Sequence, residues 1–127
     1  IVSHLFRVRP MYEVNAFAVS LGFYMLEHPD ITAEYVNEID KSRKWLKDKL
    51  SIDGIDIAQG FANFVLINVG NKERAAQIAK NLLNEKIVIK GGFRETCLTT
   101  YIRVGLGTMD QMRYFLEKFR KILLEIA

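Results

Sequence analysis

The chain has 127 residues, half of them hydrophobic and 26% charged, and its 18 Lys and Arg against 15 Asp and Glu leave a net charge of +3. This length and composition suit one ordinary globular domain with a modest core, and they exclude a disordered or fibrous chain. The basic residues are interleaved with acids, as in "NEIDKSRKWLKDK" and "EKFRK", so they read as solvated helix surface and argue against a nucleic-acid face.

Residues 1–10 read as extended or irregular, with Pro10 holding Arg9 away from helix. A helix follows from about Glu13 to Glu27. Its apolar residues, from Val14 and Phe17 to Tyr24, Met25 and Leu26, cover nearly every face. A helix apolar all round belongs to the core of a larger body or to a membrane, and this one is too short to span a bilayer. It predicts a partner outside this chain. With Ile1 as first residue, the sequence reads as a piece cut from something longer.

Pro29 and Asp30 suit the start of a second helix, with Thr32 as an alternative cap. Over 31–50 this helix carries Tyr35, Val36, Ile39, Leu46 and Leu50 along one stripe. Trp45 lies near its charged side, as a packing residue or part of a patch facing an absent domain. "SIDGID" turns the chain through Gly54. "NFVLINV" (63–69) is a continuous apolar run and predicts a buried strand. The spacing then predicts a helix over 72–84 with Ala75, Ile78, Ala79, Leu82 and Leu83 inward, a short strand "KIVIK" (86–90), a flexible "GGFRETCL", and a last strand "YIRVGL". Thr108 and Gln111 match a capping box that opens a closing helix striped by Met112, Phe115, Leu116, Phe119, Ile122, Leu123 and Ile126. The order predicts an α+β, two-layer sandwich: a small, mainly antiparallel sheet covered on one face by helices.

Arg103 lies between Ile102 and Val104 in a strand that otherwise reads as buried. An unpaired buried charge costs several kcal/mol. Arg103 therefore has an internal carboxylate partner (Glu95, Asp110 or Glu117), a place at the sheet edge, or an external anion to bind.

The remaining reactive residues point nowhere. His4 and His28, with the single Cys97, cannot compose a metal set of usual spacing. His28 suits a helix end, and Arg7 and Arg9 could reach a site from the entry segment or face solvent. "GLGT" and "KGG" lack the strand–turn–helix spacing of a dinucleotide or P-loop site. One cysteine cannot form an internal disulfide, which points to a reducing compartment, the cytoplasm. No apolar run approaches the ~20 residues of a membrane span and no signal peptide opens the chain.

Four segments, in order, resemble the C-terminal part of pyridoxal-phosphate-dependent aminotransferases of class I/II, on the histidinol-phosphate aminotransferase branch. They are "RVRPMYEVNAFAV", "GFANFVLINV", "KIVIKGG" and "TYIRVGLGTMDQMRYFLEKF". The resemblance implies that residues 1–12 are a connector from a cofactor-binding large domain and that 13–127 are the small domain. It also implies that Arg103 grips the substrate carboxylate, for which a planar, permanently charged fork is suited. Lys90 stands where the family often has an arginine that holds the substrate's distal group, and it keeps the charge without the fork. The family's cofactor-anchoring lysine, its phosphate-binding stretch and its pyridine-binding aspartate have no counterpart here. This chain alone is therefore expected to be inactive and to bind no pyridoxal phosphate. The implied partners are the missing domain, an amino-acid or 2-oxo-acid substrate, and a second copy in a homodimer, with no nucleic acid or membrane. A stand-alone α+β module with an anion site at Arg103 is the alternative; RNA binding is disfavoured because the strands show no exposed aromatics.

Overall fold

The computed structural model describes His4 and residues 14–58 and 60–126. The chain divides into two compact units, Ile1–Tyr35 and Val36–Ala127.

In the first unit, helix α1 (Ala16–Glu27) starts at Asn15, whose Oδ1 accepts the Ala18 N–H at 2.9 Å. This satisfies one of the free donors that every helix start leaves. Its residues continue apolar on all sides, and none of them is buried. His28 ends it, donating its N–H to the Tyr24 carbonyl and resting its ring 4.2 Å from that of Tyr24. Helix α2 (Pro29–Ile52) then starts on a proline, where the missing N–H is no loss.

In the second unit α2 buries Ile39, Ser42, Leu46 and Leu50 at helical spacing. The buried stripe therefore begins at Ile39: Tyr35 and Val36, expected to lie on it, are exposed. Trp45 packs against the core as a partly buried residue. The helix closes in a double hydrogen bond, Ile55 N–H to Leu50 and Gly54 N–H to Ser51, with Gly54 at φ 74°. This is the left-handed cap that glycine adopts without penalty. Asp53, just before the glycine, receives two hydrogen bonds from Arg120 at 2.8 and 3.0 Å.

Strands β1 (Phe64–Asn68) and β2 (Tyr101–Gly105) pair antiparallel, with Val65 opposite Val104 and Ile67 opposite Ile102. These four side chains face the helices and are buried; their neighbours alternate to the open face. Single bridges widen the sheet on both edges, Ile57 with Ile67 and Lys90 with Arg103. The chain before β1 contributes an edge that the sequence reading did not foresee.

Helix α3 (Lys72–Asn84) fills its predicted span, with Asn71 as its cap and Ala75, Ile78 and Leu82 buried. Leu83, expected inward, is exposed. The predicted strand 86–90 is not a strand: apart from the single Lys90 bridge, no ladder forms. The cause lies at the end of α3. Lys86 takes the left-handed conformation (φ 62°) so that its N–H reaches Leu83 and the Ile87 N–H reaches Leu82. Residues 87–89 thus leave the helix still alternating, Val88 outward, but aligned with β2 only at Lys90. Gly91 then passes so close to α3 that a Cβ there would sit 2.8 Å from the Ala75 carbonyl oxygen and 3.1 Å from the Ala79 Cβ.

Helix α4 (Met109–Glu125) opens with the predicted capping box, Thr108 and Gln111 each accepting the other's backbone N–H. Met112, Phe115, Leu116, Phe119 and Ile122 are buried, and Leu123 and Ile126 pack beside them. α3 packs on both α4 and β2. The architecture is α+β, as expected, with helices against one face of a small antiparallel sheet.

Candidate functional site

The open face of the sheet carries the residues singled out for binding. Alternation along β2 sends Ile102 and Val104 into the core and Arg103 to the other side, where its side chain is exposed. The apparent conflict of a charge in a buried strand is thereby corrected: one face of this strand is covered and the other is not.

Hydrogen bonding fixes the backbone of Arg103 on both sides of β2. Toward β1 its neighbours carry the ladder; toward the other edge Arg103 donates its N–H to the Lys90 carbonyl at 2.7 Å and accepts the Lys90 N–H at 3.1 Å. Two residues that exchange both bonds stand directly opposite, with side chains on one face. The structure thus brings together Arg103 and Lys90, thirteen positions apart in sequence. Like charges placed this way repel and are a cost to the sheet.

Among the described residues neither cation has a carboxylate partner. Of the three candidates, Asp110 pairs with Arg113, Glu117 with Lys118, and Glu95 sits exposed before the 3-10 turn Thr96–Leu98. Each cation rests instead on an aromatic ring. The Arg103 guanidinium carbon lies 5.3 Å from the Phe64 ring centre, and Lys90 Nζ lies 5.0 Å from that of Phe93. The sequence reading missed both rings. For Phe64 the signal is non-local, because it appears only once the register sets it opposite Gly105 and diagonal to Arg103, whereas Phe93 lies close to Lys90 in the sequence itself.

Three clefts formed by described residues lie elsewhere, and none is lined by Arg103 or Lys90. The two cations stand exposed on the open face of the sheet, where an anion can approach both.

The other reactive groups are placed without companions. His4 and Cys97 are exposed, and His28 is taken up by the end of α1. No group of three or more His, Cys, Asp and Glu among the described residues is set to hold a metal. Arg7, Arg9 and the rest of the predicted 1–12 connector apart from His4 lie outside the described residues. No described helix is long and apolar enough to cross a membrane.

No described lysine is buried, so desolvation, one of the ways an anchoring lysine is brought to lose its proton, acts on none of them. The pKa of Lys118 is raised, chiefly by its hydrogen bond to Glu85 and by that carboxylate's charge, with the two atoms 3.4 Å apart.

The sequence matches the family described as aminotransferase class I and II over residues 1–119. It is 30% identical over 125 residues to histidinol-phosphate aminotransferase 1 of Carboxydothermus hydrogenoformans, covering 97% of this chain and 34% of that protein. It is 28% identical to histidinol-phosphate aminotransferase of Methanothermobacter thermautotrophicus, covering 92% and 32%. In fold it is similar to a solved chain from Erwinia carotovora atroseptica that carries a provisional histidinol-phosphate aminotransferase name. There the TM-score is 0.60 at 18% identity, covering 70% of this chain and 25% of that one. The chain spans about a third of the length of the curated relatives it matches. With nearly all of its length matched, the chain belongs to the class I and II aminotransferases.

Proposed function

We propose that this chain is the small domain of a pyridoxal-phosphate-dependent aminotransferase of the histidinol-phosphate aminotransferase kind. Its task is to bind the substrate's carboxylate through Arg103 and to close over a cofactor held by residues outside this chain. When bound, that cofactor supplies the electron sink for amino-group transfer between an amino acid, or an amino-acid-like phosphate, and a 2-oxo acid. The observation that carries the reading is the pose of Arg103: exposed, unpaired among the described residues, and on an open sheet face beside a second cation.

A guanidinium in that state keeps its N–H fork free for two parallel hydrogen bonds to a carboxylate. Such a clamp sets the amine at a fixed place, and positioning supplies much of a rate. Lys90 adds a point charge alongside, suited to a second anionic group on the substrate. The family match favours this reading over a stand-alone anion-binding module. The lysine-bearing domain is the partner we assign to the open face and to the apolar α1, in a homodimer working in the cytoplasm.

The test is Arg103→Ala in the intact gene product. The expected result is a loss of about 10²- to 10³-fold in kcat/KM for carboxylate substrates, as for removal of one partner of a close charge pair, with the cofactor absorbance retained. Unchanged turnover would remove the assignment.

A further inference from the structure

Resting on that reading of Arg103, we propose that Phe64 is a positioning residue for the substrate-binding arginine.

Phe64 and Gly105 stand directly opposite each other in the register. Leu106 donates to Asn63 and Val69 to Thr100, so the 64–105 pair falls between the hydrogen-bonded ones. That is the place where opposed side chains approach most closely. From the diagonal position the Arg103 guanidinium carbon lies 5.3 Å from the Phe64 ring centre.

The direction of the lean matters. Lys90 flanks β2 on one edge and β1 flanks it on the other. Resting on Phe64, the Arg103 guanidinium is drawn toward β1 and away from the like charge.

A ring does this differently from a carboxylate. An acidic partner would orient Arg103 equally well, but it would occupy the N–H fork and neutralise the charge an incoming anion needs. The face of an aromatic ring attracts the cation through its quadrupole and takes none of the five N–H donors. Phe64 is half-buried, so its own position is held by packing. The guanidinium is thus steered in advance while remaining free to bind.

The test uses the intact, cofactor-loaded gene product. In Phe64→Leu, which fills similar space without the quadrupole, KM for the carboxylate substrate is expected to rise about 3- to 5-fold, with kcat changed by less than about 2-fold. Phe64→Tyr is expected to stay near the parent, and Phe64→Leu to add nothing in an Arg103→Ala background. The Arg103 Nε–H resonance, displaced by the ring in the parent, is expected to move back in Phe64→Leu and to hold in Phe64→Tyr. Equal KM for the Leu and Tyr variants or full additivity with Arg103→Ala would each overturn the proposal while Arg103→Ala remains impaired. An Arg103→Ala enzyme with unchanged KM and kcat would instead bring down the carboxylate reading, and this proposal with it.

Discussion

Helices α1 and α4 are both rich in large apolar side chains, and they meet opposite fates. α4 gathers Met112, Phe115, Leu116, Phe119 and Ile122 on one stripe and buries all five. α1 spreads Phe17, Val19, Leu21, Phe23, Tyr24 and Leu26 around its axis and buries none of its residues. Hydrophobic content alone does not make a helix part of a core. A helix gains burial only where its period of 3.6 aligns apolar side chains against a neighbour, and a small sheet offers one neighbour on one side. A helix apolar all round needs surfaces on several sides. This is why α1 fits our proposal that further chain covers it, and why α4 needs nothing beyond the second unit.

The strongest way to break that comparison is to truncate the same residue type in both helices. Phe119→Ala removes a ring with no exposed surface, stacked 5.4 Å from that of Phe115, and should destabilise the chain by about 3–5 kcal/mol. Phe17→Ala removes a side chain that is 78% exposed, and alanine is the better helix former, so stability should change by less than about 0.5 kcal/mol. Denaturant titration measures both. A cost at Phe17 comparable to that at Phe119 would show that α1 is buried after all.

A smaller effect sharpens the account of how α4 begins. Thr108→Ala should cost about 1 kcal/mol, since it frees the Gln111 N–H and halves the capping box. A denaturation midpoint unmoved by the substitution would mean that the stripe holds the helix start without its cap.

The smallest effect concerns the polar side of α4. Lys118 reaches Glu85 at the end of α3, and this contact raises its pKa above the ordinary value of 10.5. A lysine whose folded pKa lies above its unfolded one stabilises the fold fully below the unfolded value, and that contribution disappears as pH rises through the folded one. The melting temperature of the parent should therefore exceed that of Lys118→Met near pH 9, and the gap should close above pH 10.5. A gap independent of pH would assign the benefit of Lys118 to packing of its stem. Being a surface contact, it is screened by salt.

The sequence by itself determined what depends on near neighbours. The limits of α3, the Gly54 turn, the Thr108–Gln111 box and the buried stripe of α4 all follow from helical periodicity and from capping chemistry within a few residues. The family resemblance was legible in the same local words, with Arg103 set before Gly105 and the capped helix. Only the tertiary structure decided the rest. The segment 86–90 alternates like a strand, but Lys86 turns it out of α3 so that one residue alone meets β2. Arg103 looked buried because its neighbours are, until the helices took one face of the sheet and left it the other. Its pairing with Lys90 and its rest on Phe64 join residues 13 and 39 positions away. The physical reason is the range of the forces involved: a helix bonds to itself within four residues, whereas a strand's partners and its covered face are fixed only when distant chain arrives.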